Sequence, residues 1–218
     1  MDGVMERLGL GGVCLRTHER VERRTVAQFV RCGDLVLEGG AGIGSVTRVL
    51  LDSGATVHAY EPGLAPFEEL DRLRAAYPRG RLSAYNVALA PLAGEIALHV
   101  YEPWYANRTT SLGGEVPSFS IAVPAQSWRY VLAEHPWQGL VLDVEGEEYQ
   151  LFECEMLPAM LPASLEWMVV ELHGRPAELA TLVHAVERAM PIVSIEVNEA
   201  SLVCGCRRKN VCHGGDAT

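Results

Sequence analysis

The segment Leu35-Val36-Leu37, followed by Glu38-Gly39-Gly40-Ala41-Gly42-Ile43-Gly44, limits what this chain can fold into more than any other feature. A short apolar run bounded by turn signals suits a buried strand. Glycines at 40, 42 and 44 let the backbone come close to a ligand where a Cβ would collide. Ser45 then reads as the cap of a helix running through Leu51 and closed by Gly54. In that order, the free N–H groups of the helix start face whatever the loop holds.

The same alternation continues along the chain. Glu19 to Arg31 reads as a helix with Val26, Phe29 and Val30 on its apolar face. Thr56 to Tyr60 reads as a strand and Pro66 to Tyr77 as a helix ended by Pro78 and Gly80. Further strands are expected at Arg81 to Ala88, Glu95 to Tyr101, Gly139 to Val144 and Leu165 to Leu172, with helices at Glu147 to Phe152 and Pro176 to Met190. Ile192 to Val197 and Leu202 to Cys206 close the pattern as a hairpin through Asn198. The expectation is an α/β fold, a doubly wound and mostly parallel Rossmann-like sheet with an antiparallel edge hairpin. Residues 1–30 read as a helical lead-in, 31–208 as one domain and 209–218 as a flexible tail.

Composition narrows the function classes. The 218 residues suffice for one good core, and 49% hydrophobic with 21% charged residues excludes a disordered chain, a fibre or a coiled coil. A net charge of −10 argues against nucleic acid as a partner. Arg207-Arg208-Lys209 is the one basic run. No stretch reaches the roughly 18 apolar residues of a membrane helix, and Met1 to Leu10, with Asp2 and Glu6, lacks a signal-peptide core. A cytoplasmic protein without a membrane partner is expected. Six scattered cysteines read as reduced thiols.

In a sheet of this kind, ligands sit beyond the carboxyl ends of the strands. Four segments fall there: Glu38 to Gly44, Glu61, Asp143 to Gly146 and Glu171 to His173. The dinucleotide fingerprint G-x-G-x-x-G fails at Ser45, which speaks against an NAD-dependent oxidoreductase. Glu61 ends the second strand, where a carboxylate can accept both hydroxyls of a ribose; the plain alternative is a solvated acid before the Pro62-Gly63 turn.

These segments, with others, carry a resemblance. The G-x-G-x-G form preceded by an acid resembles motif I of S-adenosylmethionine-dependent methyltransferases. Val36 to Gly44, Ala59-Tyr60-Glu61-Pro62, Asn86-Val87-Ala88-Leu89, Arg108-Thr109-Thr110-Ser111-Leu112, Leu142-Asp143-Val144-Glu145-Gly146-Glu147-Glu148 and Glu171-Leu172-His173 together resemble the FkbM-type methyltransferases, a class I group. The resemblance spans residues 20 to 200 in the family's order, and Asp143-Val144-Glu145-Gly146 is its most specific element. It departs from the family in Glu38 for Asp, Gly42 for Asn and Val141 for Lys, the last removing a charge from the strand face that Asp143 shares.

The resemblance implies S-adenosylmethionine as cofactor, held by Glu38, Gly39, Gly40, Ala41, Gly42, Gly44, Glu61, Pro62, Asn86, Val87, Ala88 and Asp143. It implies methyl transfer to oxygen of a small-molecule acceptor such as a sugar or polyketide in natural-product biosynthesis. Nitrogen transfer and a non-catalytic cofactor-binding module are the alternatives, and a homodimer is compatible with the chain. A hydroxyl acceptor must lose a proton, which singles out Asp143, Glu145 and His173 as catalytic candidates. His173 starts from the best-matched ordinary pKa, about 6.5. Asp143 could instead cap the next helix. No resident metal is expected; a metal-assisted route through Asp143, Glu171 and His173 is the alternative. Cys204, Cys206, Cys212 and His213 lack standard zinc spacing. Trp104, Tyr105, Trp128 and Trp137 are open to two readings, acceptor pocket or core.

Overall fold

A computed structural model describes residues 15–101, 117–153, 159–198 and 201–208, and every structural statement below concerns those residues. Helix α1 (Leu15–Phe29) leads to β1 (Leu35–Gly39), α2 (Ser45–Asp52), β2 (Thr56–Tyr60), α3 (Leu64–Arg72) and β3 (Leu82–Tyr85). Three further strands follow, β4 (Ala88–Ala90), β5 (Gly94–Val100) and β6 (Phe119–Ser127), then α4 (Trp128–Glu134) and β7 (Gly139–Leu142). Helix α5 (Glu148–Glu153), β8 (Trp167–His173), α6 (Pro176–Ala189), β9 (Ile192–Asn198) and β10 (Ser201–Arg207) complete the order.

The main sheet runs β3-β2-β1-β7-β8-β10-β9. The first five strands are parallel, and β10 is antiparallel to both β8 and β9. Strand order reverses between β1 and β7, so the cleft of an open α/β sheet opens beyond their carboxyl ends. The expected architecture, including the antiparallel hairpin at the edge, is present.

Apolar runs form these strands because both faces are covered. Val36, Val57, Val141, Val169 and Val203 point to one layer, where α1, α2 and α3 supply Val26, Phe29, Leu50 and Leu70. Leu37, Leu140, Leu142, Met168, Val170 and Leu172 point to the other, against Trp128, Val131, Phe152, Leu182 and Val186 of α4, α5 and α6. Successive residues alternate between the layers, as a strand's period of two requires. Trp128 and Trp137 are 2% and 0% exposed, so the core reading holds for both. Cys204 and Cys206 are also core residues, and burial pushes the Cys204 thiol up to about 12. Trp104, Tyr105, Arg108 to Leu112, Cys212 and His213 lie outside the described residues.

Local boundaries differ from the sequence reading for identifiable reasons. Gly44, in the left-handed region, is the N-cap of α2, and Ser45 is its first helical residue with no capping bond. The expected strand Arg81 to Ala88 breaks at Asn86, whose side chain donates to two backbone carbonyls, and β4 joins a second sheet of order β4-β6-β5. Strand β6 and helix α4 were not anticipated; β6 carries Pro124, a residue that weakens strand signals. The expected helix Pro66 to Tyr77 is α3 plus a 3-10 turn at Leu73–Ala76. Asp143 is not a helix cap, since α5 begins at Glu148. No described helix is long and apolar enough to cross a membrane.

The glycine loop is placed by one close approach. Gly40 has φ +79°, and a Cβ there would lie 1.6 Å from the Asp143 carbonyl oxygen. Gly42 has φ +54° but open space where its Cβ would be. Gly42→Ala should therefore cost only left-handed strain, ~1–2 kcal/mol, whereas Gly40→Ala adds an overpacked backbone contact and should cost at least ~3 kcal/mol. Urea unfolding of the two variants checks this ranking, and equal losses would contradict it.

Candidate functional site

The carboxyl ends of β1 and β2 are stitched together by backbone groups. Gly40 and Ala41 both donate to the Tyr60 carbonyl, at 3.0 and 3.1 Å. The Glu61 carboxylate accepts from Gly42 N–H at 2.8 Å and from Gly63 N–H at 2.7 Å, bridging the glycine loop and the Pro62-Gly63 turn. Asn86 donates to the carbonyls of Glu61 and Pro62 at 2.9 and 3.0 Å, which brings the end of β3 alongside. Val87 and Ala88 follow directly, Val87 half-buried and Ala88 buried as the first residue of β4. Glu38 is buried beneath the loop, where its carboxylate accepts from the Thr47 hydroxyl of α2 at 2.7 Å.

Burial pushes the Glu61 carboxyl up to about 7, despite the opposing backbone donors Gly63 and Gly42. A carboxylate with only two N–H partners retains acceptor capacity toward a ligand.

The other half of the cleft comes from β7 and β8. Asp143 N–H donates to the Gly39 carbonyl at 3.0 Å, so the residue after β7 sits against the glycine loop. The turn that follows puts Glu145 at φ +51°, the one non-glycine residue with positive φ among those described. Such a backbone is strained for a side chain-bearing residue and clusters at functional sites. His173, the last residue of β8, lies between carboxylates. Its Nε2 is 3.6 Å from Asp143, 3.7 Å from Glu145 and 3.8 Å from Glu171, and its Nδ1 is 3.3 Å from Glu148. Glu171 is buried and accepts from Asn198 at 2.8 Å and from the Ser201 hydroxyl.

The three catalytic candidates thus meet at one imidazole, and this changes their acidities. Burial works to lower the His173 pKa, but Glu145, Glu148 and Asp143 outweigh it and hold it well above 6.5. The ring therefore keeps its proton at neutral pH, unlike the ordinary histidine that the sequence suggests. Asp143 is also raised, first by burial and then by Glu171 and Glu22, with His173 opposing. One Asp143 oxygen is buried without a hydrogen-bond partner. Asp143, Glu171 and His173 each offer a ligand atom within 4.8 Å of the others, a grouping that could hold a divalent ion.

Two members of this cluster were not read from the sequence. Glu148 stands in the Asp143-to-Glu148 motif but looked like the polar start of a helix. Glu22 comes from α1, distant in sequence, and is 3% exposed. Its signal was position: an acid one turn before Val26, on the apolar face of the helix.

No protein-family model matches the sequence, and no curated protein matches it. Solved structures do share the fold. Burkholderia thailandensis 1,6-didemethyltoxoflavin-N1-methyltransferase, with bound 1,6-didemethyltoxoflavin and S-adenosylhomocysteine, is similar at TM-score 0.52 and 16% identity over 91% of this chain and 83% of that one. Magnesium protoporphyrin IX methyltransferase from Synechocystis, with bound S-adenosylmethionine, is similar at TM-score 0.51 and 14% identity over 89% and 79%. The ribosomal protein L11 methylase of Lactobacillus delbrueckii subsp. bulgaricus gives TM-score 0.55 and 12% identity over 88% and 78%. The fold is that of class I methyltransferases.

The raised groups fix the sign of the pH dependence. Glu61, Asp143 and His173 all bind their protons more tightly in the fold than at their ordinary values. Their stabilisation is complete below those ordinary values and is lost as pH rises through the shifted ones. For Glu61 that window runs from 4.5 to about 7, and a shift of this size corresponds to ~3 kcal/mol. Unfolding free energy should therefore fall between about pH 5 and pH 8, and Glu61→Gln should flatten part of that slope. Denaturant unfolding across the range checks this; stability that rises with pH would contradict it.

Proposed function

We propose that this protein is an S-adenosylmethionine-dependent methyltransferase of FkbM type that methylates an oxygen of a small-molecule acceptor. The observation that carries the reading is the convergence of the glycine loop, Glu61 and the Asp143–His173 pair on one cleft at the switch point of a class I methyltransferase fold.

The residues present fit such a cofactor. Gly42 leaves open space at the loop. Glu61 can accept from ribose hydroxyls beyond the two N–H groups it already binds. The Asn86-Val87-Ala88 turn would take the adenine and Gly39 to Gly44 the amino-acid portion, with Glu38 supporting the loop from below through Thr47. The group of acids at the ends of β7 and β8 suits a cationic sulfonium. That sulfonium, when bound, supplies an electrophilic methyl group.

A hydroxyl acceptor that took this methyl group would have to give up its proton. Asp143, whose raised pKa makes its carboxylate the more basic, is the base that can take it, while protonated His173 at 3.6 Å balances the charge and Glu145 faces the same ring nitrogen. Positioning the acceptor against Asp143 supplies much of the rate, since the displacement must be in line. The net charge of −10 and the carboxylate-lined cleft favour a small acceptor over a phosphate-rich nucleic acid. The same carboxylates suit an amine, so nitrogen transfer, with Asp143 orienting the acceptor, is the second reading.

Titration calorimetry should show S-adenosylhomocysteine binding at least about tenfold tighter than NAD, as the failed dinucleotide fingerprint implies. Glu61→Ala should weaken it by ~1–3 kcal/mol, the effect of leaving hydroxyl partners unmet. Tight NAD binding without a response to S-adenosylhomocysteine would sink the reading. Asp143→Asn should keep cofactor affinity and lower turnover by roughly 10²–10⁴-fold. Unchanged turnover would move the chemistry elsewhere, and lost cofactor binding would place Asp143 in the cofactor shell.

A further inference from the structure

We propose that Glu148 is a positioning residue: its one buried carboxylate shapes the turn that carries Asp143 and Glu145, and fixes the ring of His173 with a proton on Nδ1 and Nε2 facing those acids. The inference rests on the proposed site only in assuming that Asp143 and His173 act on the acceptor.

Glu148 is 0% exposed at the first position of α5. Three groups surround its carboxylate. One oxygen accepts from Val144 N–H at 3.1 Å and faces His173 Nδ1 at 3.3 Å. The other accepts from Gly146 N–H at 2.7 Å. A carboxylate accepts only, so the ring nitrogen facing it must be the donor. This orients the imidazole in the way that a buried carboxylate orients a catalytic histidine elsewhere, by fixing the proton on one nitrogen and aiming the other at the reacting groups.

The two backbone bonds flank Glu145, whose φ of +51° is strained. A left-handed residue persists only where its surroundings over-determine it. Glu148 does that by gripping the N–H groups on both sides of Glu145. One side chain therefore sets the two halves of the His173 contact: the ring's rotation from one side and the acids' approach from the other. Neither role is available to a residue that merely begins a helix.

A glutamine of the same size separates positioning from filling space. Its amide is uncharged and has one acceptor oxygen, so it cannot serve both backbone N–H groups and stabilises a second ring proton far less than the carboxylate does. The experiment is two-bond ¹H–¹⁵N correlation NMR of the ring nitrogens in the full-length ¹⁵N-labelled protein, with the His173 signals identified by comparison with His173→Gln. In the wild type, Nδ1 should carry a proton. In Glu148→Gln, the Nδ1 proton should be lost while Nε2, which faces the other acids, keeps its own, with near-UV circular dichroism unchanged. In Glu148→Ala, the Val144 and Gly146 amides should exchange at least about tenfold faster, as expected for a lost hydrogen bond.

A wild-type ring protonated on Nε2 alone overturns the proposal without any variant, so it stays testable even if both substitutions prevent folding. A Nδ1 proton that survives in Glu148→Gln also overturns it, because a purely structural role lowers stability without moving the ring proton. S-adenosylhomocysteine calorimetry on the same samples keeps the two readings apart. Absent binding to the wild type removes the methyltransferase assignment and leaves the ring result standing.

Discussion

Gly40 and the Asp143 carbonyl touch because Gly40 has no side chain, and the cleft follows from that contact. The Asp143 N–H donates to the Gly39 carbonyl beside it, so the loop after β1 and the residue after β7 are locked at backbone level. On the other side, Gly40 and Ala41 share the Tyr60 carbonyl of β2. Three parallel strands thus end in one bonded unit at the point where strand order reverses. A side chain at position 40 would force β1 and β7 to separate there, and Glu61 and Asp143 would no longer share a cleft.

Above this base, the cleft is a collection of acids that would repel one another in isolation. Asp143, Glu145, Glu148 and Glu171 all lie within 4 Å of one imidazole. Removing charged groups from water is expensive, and like charges raise that expense. The structure offsets it in two ways. Glu148 and Glu171 are satisfied by donors, two backbone N–H groups for the first and Asn198 with Ser201 for the second. Asp143 and His173 bind protons more tightly instead, the direction in which both pKa values move.

Much of this was legible in the sequence, and the reasons are physical. Buried parallel strands are apolar on both faces, so Leu35 to Leu37 and Gly139 to Leu142 stand out as short runs. Glycines with positive φ mark themselves, which located the loop. Asp143, Glu145 and His173 stand in the sequence as separate strand-end residues, and the structure brings them together around one ring. What the sequence hid was convergence. Glu148 is a good helix-start residue, Glu22 lies more than a hundred residues from its neighbour Asp143, and Asn86 acts through its side chain on a different strand end. The second sheet was hidden for another reason: β6 is mostly exposed, so its alternation is weak.

The strain and the buried charge of the cleft are offset by the core beneath it. The strands beneath the site are covered on both faces by well-buried aliphatic and aromatic side chains. A left-handed Glu145 and a set of crowded carboxylates each lower stability by amounts comparable to a few buried methyl groups. A core covered on both faces can absorb that loss; a sheet with one wet face would have far less to offset it. The acids' low stability is also what makes them responsive. A group that binds a cation, an acceptor hydroxyl or a proton gains most where its own solvation has already been removed. The same burial that lowers the stability of the empty cleft therefore strengthens every interaction that a bound molecule makes with Asp143 or Glu61.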